Sequence, residues 1–409
     1  MNSVNRVQPP CIVLGLETQI GLSLVRELGR AGVRVIGITQ DPHAIGLHSR
    51  FLSEGVVVKT ARSPELMETI RSLGERYGPC CLMAVAEVNL NWLSEHRGQF
   101  GKVEPILPDP VALATVLDKQ ATLQAAQQVG IAIPTSVEPH SHAELAALAQ
   151  QITLPAVLKW KDPNLIAPLL AQHGLSLIKA EYVYSAEALL AALNRYSVID
   201  AWPLVQAYCG GYGLGQFFFM HQGQALRRFQ HRRIAEWPPE GGFSSVCDAL
   251  PLHEHADLQE KSIALLRAIG WEGVAMVEYR YDPVSQRAVL MEINGRFWGS
   301  YPLALYAQAD FALLSYQVGS GLPISALPAP RSDVRCRMVA TELKRLVRIC
   351  LQPDKIADRS FSIRPMAEIT RFVIDFFRPG VRYYVWCWND PKPFWADLTN
   401  LLRGALRFR

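Results

Sequence analysis

The chain has 409 residues, 49% hydrophobic and 19% charged, which describes a globular protein of two or three domains and excludes a disordered one. The formal net charge of +4 is small for this length and no basic run carries interleaved aromatics, so nothing points to nucleic acid. The eight cysteines hold no CxxC pair, only the adjacent Cys80-Cys81, so neither a zinc site nor a disulfide framework is expected and a reducing cytoplasm fits.

The N-terminus, MNSVNRVQPPCIVLGLE, lacks the layout of a signal peptide, and no apolar run reaches transmembrane length. Residues 11–16 (CIVLGL) are predicted as a strand, followed by a turn around 18–21, a helix to about Ala31 and a second strand at 34–39. Strand, helix, strand at this spacing is a βαβ unit and implies a parallel sheet. Its turn, GLETQIG at 15–21, is neither GxGxxG nor a P-loop, so the lobe is expected to be Rossmann-like in structure without the dinucleotide fingerprint. Residues 82–86 supply a further strand, with Glu87 at its carboxyl end.

PILPDP at 105–110 marks a domain boundary, and a helix is predicted over 111–129, stopped by Gly130 and Pro134. The strand 154–160 bears Lys159, 163–174 is expected to be a mobile loop, 179–184 a strand and 186–193 a helix. The strand 203–208 opens into the glycine cluster Gly210, Gly211, Gly213 and Gly215. Residues 216–220 and 225–229 pair as a hairpin, and 231–245 is expected to be a charged, glycine-rich loop after it. A helix over 257–269 leads to a second hairpin. Beyond Pro323 the helix 341–351 and the aromatic tail 372–409 follow; the tail is expected to pack across the body, with contact to a bilayer surface as the alternative.

The second hairpin, 274–300 (VAMVEYRYDPVSQRAVLMEINGRFWGS), carries the densest chemistry. With the turn centred on Ser285, Glu278 lies across from Glu292, and Asn294 and Arg296 follow Glu292 on the same face. Two carboxylates about 5 Å apart at Cβ repel, so a cation belongs between them. A hard divalent ion on Glu278, Glu292 and Asn294, completed by phosphate oxygens, meets that need. The plain alternative is a surface hairpin with Glu292 and Arg296 as a solvated pair.

Four segments in this order resemble the ATP-grasp superfamily, specifically its carboxylate–amine ligases. They are 107–136 with Asp118-Lys119 and the ending GIAIP, Lys159 in AVLKW, 205–208 before the glycines, and the VEYR…MEINGRFWGS hairpin. The N-terminal lobe, with GLHSRFLSEGVVV at 46–58, is also similar, so the match covers roughly residues 10–325. The resemblance implies an α/β fold with α+β grasp lobes. A Rossmann-like pre-ATP-grasp domain (1–107) precedes a two-lobed ATP-grasp domain (108–325, with lobes of about 108–205 and 206–325), and a C-terminal accessory segment (326–409) follows.

It further implies a cytoplasmic enzyme in which ATP phosphorylates a carboxylate and an amine attacks the acyl phosphate, with an amino acid or small peptide among the substrates and a homodimer admitted. Lys119 and Lys159 would bring compact positive charge to the phosphates. Gln206, Ala207 and Tyr208 would form the adenine hinge, although many members carry glutamate where Gln206 stands. Mg²⁺, with Mn²⁺ as the substitute, would sit on Glu278, Glu292 and Asn294. Arg296 would steady the transferred group. Arg227, His231 and Arg233 alternate onto one face, and His231 and Arg233 are the expected contacts of the acceptor carboxylate, with Gly241-Gly242 as a lid hinge. Glu236 is a candidate for ribose, and Trp298 is expected in the core. Two other readings remain: a different acceptor (carboxylase or kinase-like), or a non-catalytic nucleotide-binding protein.

Overall fold

The computed structural model describes residues 8–407 apart from 162, 179 and 325, so the expectations for the first seven residues and for Lys179 lie outside the described residues. The N-terminal lobe is a five-stranded parallel sheet of β1 (Cys11–Leu14), β2 (Val35–Thr39), β3 (Glu54–Val57), β4 (Cys80–Ala84) and β5 (Val103–Pro105), in the order β3-β2-β1-β4-β5. Strand β1 is buried end to end, as an apolar run covered by helices on both faces should be. Thr18 caps the helix Gln19–Arg30, and a Cβ on Gly21 would stand 1.9 Å from the Gly15 carbonyl oxygen. The glycines of this turn therefore serve close helix–strand packing.

A four-stranded antiparallel sheet follows: β6 (Ser136–Val137), β7 (Ala156–Lys159), β8 (Glu181–Val183) and β9 (Leu204–Ala207), in the order β6-β9-β7-β8. Two local expectations change here. The helix predicted over 111–129 is two helices, Pro110–Leu117 and Lys119–Gln128, because Asp118 leaves the helical path and caps the second through bonds from the Gln120 and Ala121 amides at 2.8 and 3.1 Å. The stretch expected as a mobile loop is the helix Pro163–Gln172, which brings Ile166 and Leu170 against the lobe's core despite Pro168 within it.

The largest sheet has seven strands: β10 (Tyr212–His221), β11 (Gln224–Trp237), β12 (Phe243–Ala249), β13 (Gly273–Asp282), β14 (Arg287–Asn294), β15 (Arg335–Arg337) and β16 (Val381–Tyr383), in the order β14-β13-β10-β11-β12-β15-β16. Much of 231–245, expected as a loop, is strand: β11 runs on to Trp237 and pairs with β12. One face of the sheet packs on the helix Ala256–Ile269 through Leu214, Phe218, Val277 and Leu290. The other face is apolar at one end (Phe217, Phe219, Phe229, Met276) and charged at the other.

Residues 326–407 are woven into this body. They supply β15 and β16, and Arg335 on β15 bonds Asp248 at 2.6 Å and Asp375 at 2.8 Å. Buried Asp390 receives Arg26 of the N-terminal lobe at 2.9 Å. The aromatic tail packs across the molecule through buried Tyr384 and Val385.

Candidate active site

Glu278 and Glu292 stand directly across from each other on β13 and β14, but the turn alone does not put them there. Asp282 pairs with Arg287, which centres the turn between Val284 and Ser285 and would set Glu278 against Met291. A bulge at Met291 absorbs the extra residue and restores the two acids to one face. Asn294 shares that face and donates through Nδ2 to Glu292 Oε1 at 3.0 Å, and its own side-chain carbonyl oxygen has no partner among the described residues. A second bulge, at Ile234 on β11, brings Arg233 and Glu236 to the same face although they are three residues apart.

The cation beside Glu278 is Arg233. Its Nη2 donates to Glu278 Oε2 at 2.5 Å, and its Nη1 to Glu236 Oε1 at 3.0 Å and the Gly242 carbonyl at 2.9 Å. To reach Glu278 from β11 it crosses β10 at Gly213, where a Cβ would lie 2.5 Å from the arginine Cδ. Glu236 also receives Arg280 Nη1 at 3.0 Å. The result is a chain of alternating charge: Glu278, Arg233, Glu236, Arg280. Burial pushes the Glu278 carboxyl up, Arg233 opposes that shift, and neighbouring Glu292 and Glu236 reinforce it. Burial opposes ionisation of Glu236 as well, but Arg233 and Arg280 together hold it below the usual range. Glu236 is thus committed to two arginines and is not left for a ribose.

Lys159 ends β7 on the same face as Val157 and, through the β7–β9 register, Gln206. Burial holds its ammonium below the usual lysine range; Lys119 pushes the same way, while Glu292 and Cys209 partly offset both. Lys119, Glu292 and Cys209 therefore lie within electrostatic reach of Lys159. Lys119 opens its helix behind the Asp118 cap, exposed, and that helix leads to Ala132, whose carbonyl accepts from the Leu290 amide on β14 at 2.9 Å. Among the described residues neither lysine has a hydrogen-bond or ion-pair partner, and Glu292 keeps Oε2 unengaged.

The hinge is partly preoccupied. The Ala207 amide donates to Thr135 at 2.8 Å and the Tyr208 amide to Pro155 at 2.9 Å. Gln206 Nε2 bonds Ser136 at 3.2 Å. The Tyr208 hydroxyl donates to Asp358 at 2.9 Å, so its side chain anchors the C-terminal segment. Among the described residues, the Gln206 amide oxygen, the Ala207 carbonyl, met only by the Cys209 thiol at 3.6 Å, and the Cys209 amide are what this stretch can offer a base.

Two expected residues, His231 and Arg227, lie outside the cluster. His231 shares the face of Arg233 but is fully buried, edge-on to Phe217, and bonded to Ser300 at 3.2 Å. Burial, aided by Arg233, drops it well below the usual histidine range, so it is neutral and offers no cation to an acceptor carboxylate. Arg227 is consumed by the carbonyls of Ala309, Pro328 and Gln308. Arg296 follows the end of β14, bonds the Phe297 carbonyl at 3.0 Å and makes no ion pair among the described residues. Trp298 is core, stacked on Phe217 at 4.0 Å. Gly242 packs against the Trp237 carbonyl, where a Cβ would stand at 2.1 Å, and Glu240 accepts from the Ala357 amide at 3.2 Å, so the expected lid is pinned at its tip. Arg280 was missed, although strand alternation from Glu278 places it on this face.

Among the described residues no three His, Cys, Asp or Glu side chains form a metal cage. The donor set present is smaller: two carboxylates and an amide oxygen, each with an oxygen unengaged. Such hard oxygens suit Mg²⁺ only when a ligand completes the shell, which fits a metal that arrives with phosphates.

A family model described as Carbamoyl-phosphate synthase L chain, ATP binding domain, matches residues 247–327. Acetyl-CoA carboxylase of Schizosaccharomyces pombe is 26% identical over 125 residues, 30% of this chain; the match covers only 5% of that relative's length. A biotin carboxylase complex with βγ-ATP from Campylobacter jejuni superposes with a TM-score of 0.61 at 14% identity, covering 80% of this chain and 74% of that one. An L-amino acid ligase from Bacillus licheniformis gives 0.53 at 15% identity, covering 76% and 74%. At these identities the likeness is one of fold.

Proposed function

We propose, from the ATP-binding-domain match over residues 247–327 and the likeness of fold to ATP-grasp enzymes, that the chain is an ATP-grasp protein and an ATP-dependent carboxylate–amine ligase that forms an amide through an acyl phosphate and releases ADP and phosphate. The observation that carries this reading is Lys159, without a side-chain partner among the described residues and within electrostatic reach of both Lys119 and Glu292. An unpaired, largely buried ammonium costs stability in the free protein. A polyphosphate is a ligand that would turn that cost into affinity.

In this account Lys119 and Lys159 hold the ATP phosphates, and the Ala207 carbonyl, the Gln206 amide oxygen and the Cys209 amide meet the adenine. Glu278, Glu292 and Asn294 would hold Mg²⁺, which neutralises phosphate charge when bound. Phosphoryl transfer asks mainly for positioning and charge neutralisation. The substrate carboxylate attacks the γ-phosphorus and the bond to ADP breaks; the amine then attacks the acyl carbon and phosphate leaves. Arg233 fixes the orientation of Glu278 on the β10 crossing. Arg296, without an acidic partner among the described residues, steadies the transferred group once substrate is present.

The second reading keeps the ATP site and makes bicarbonate the acceptor; the likeness to a biotin carboxylase favours it. Purified protein incubated with ATP, Mg²⁺ and paired pools of carboxylates and amines separates the two. ADP and phosphate release that needs both a carboxylate and an amine supports the ligase. Release that needs bicarbonate and no amine selects the carboxylase, and the absence of either overturns both.

A further inference from the structure

The helices Val339–Leu351 and Pro365–Ile374 are inverted. A surface helix ordinarily turns its apolar stripe inward and its charges to water. The first of these buries Thr341, Glu342, Arg345 and Ile349 and exposes Leu343, Val347 and Leu351, spaced four residues apart and up to 75% accessible. The second has no buried residue. Its Glu368 receives Arg345 of the first helix at 2.5 and 3.0 Å, and Arg371 joins the pair. Its outer stripe, Met366, Ile369 and Val373, is exposed and runs on to Phe377, which is 81% accessible. The contact between the helices is therefore ionic, and their outer sides are apolar.

The rim of this face is basic. Among the described residues from 343 to 378 the exposed charges are Lys344, Lys355, Arg359, Arg364 and Arg378, against Asp354 alone. The segment 326–409 holds sixteen Lys and Arg against eight Asp and Glu, whereas the whole chain has 41 against 37. The excess positive charge of the protein is concentrated where its apolar side chains are left without cover.

We propose that this two-helix face docks the protein on an anionic lipid bilayer, lying in the headgroup layer. Apolar stripes of this kind reach below the headgroups while lysine and arginine meet the lipid phosphates. No helix among the described residues is long and apolar enough to cross a membrane. A second copy of the chain is the poorer occupant, because a two-fold contact sets the same basic rim against itself. The proposal is independent of the reaction catalysed at the ATP site.

Co-sedimentation of the full chain with extruded vesicles tests it, comparing phosphatidylcholine alone with an equimolar phosphatidylcholine–phosphatidylglycerol mixture. The protein is expected to bind the anionic vesicles, to bind the neutral ones far less, and to release as salt rises. The double substitution Ile369→Glu and Val373→Glu, on exposed positions, should lower binding at least tenfold with an unchanged thermal melt. Lys344→Gln and Arg364→Gln should each lower it about fivefold. Failure to bind at millimolar anionic lipid, or equal binding by the double variant, overturns the proposal. A dimer in sedimentation velocity that Ile369→Glu dissociates also overturns it and assigns the face to a second copy.

Discussion

Lys159→Met keeps the aliphatic stem on β7 and removes an ammonium that has no partner among the described residues. Burial, and then the Lys119 charge, holds that ammonium below the usual lysine range. A base whose folded pKa is lowered subtracts stability at every pH below that pKa, and the loss is recovered as pH rises through it toward the unfolded value near 10.4. At neutral pH the variant should therefore match or exceed the parent, by roughly 0 to 1 kcal/mol on the scale of a modest desolvation. Loss of a structural buried ion pair would instead cost about 3–5 kcal/mol. For nucleotide the direction reverses: a charge-assisted bond to phosphate contributes about 1.5–3 kcal/mol, so ATP should bind roughly 10- to 150-fold more weakly. Urea unfolding at pH 7 with isothermal calorimetry of MgATP reads both effects. Unchanged ATP affinity, or a stability loss near 3 kcal/mol, would rule out Lys159 as an unpaired cation that receives phosphate.

Glu292→Ala should cut ATP turnover by about a thousandfold, on the scale of losing a charge-stabilising group, with little change in melting, since among the described residues its only side-chain hydrogen bond is to Asn294. Retained ADP production would contradict this. Arg233→Met leaves Glu278 and Glu236 without their shared cation, at a cost of about 3–5 kcal/mol. Both carboxyls then shift upward, and an acid with a raised folded pKa is penalised increasingly as pH climbs above its unfolded value. The deficit should accordingly be large at pH 8 and smaller at pH 5 in urea melts. Asp358→Ala removes the acceptor of both Tyr208 and Tyr184, each at 2.9 Å, and should speed amide exchange in β8 and β9 by mass spectrometry while that of β1 is unchanged.

The parts of this protein that obey strand alternation and helix periodicity were legible before any coordinates. The Glu278–Glu292 pairing is the instructive case, since it emerged from a turn placed half a residue off and is restored by the Met291 bulge. Bulges leave no mark in an apolar–polar pattern, so neither this one nor the bulge at Ile234 could be read. Asp118 looked like the middle of one long helix because its neighbours keep the period, whereas its carboxylate caps a new one. His231 shows the limit of reading charge from alternation: the shared face was correct, but that face is apolar core at its position. The anchoring of Tyr208 by Asp358 joins residues 150 apart and has no local signature. The same holds for β15 and β16, three residues each, which depend wholly on a sheet built from distant segments.

The decisive experiment is a crystal structure with Mg²⁺ and a non-hydrolysable ATP analogue. Phosphates are expected against the amino groups of Lys119 and Lys159 and a metal ion on Glu278, Glu292 and Asn294, with adenine at the Ala207 carbonyl. Phosphates bound elsewhere, such as the turn at 15–21, with both lysines still unengaged, would contradict the proposed site.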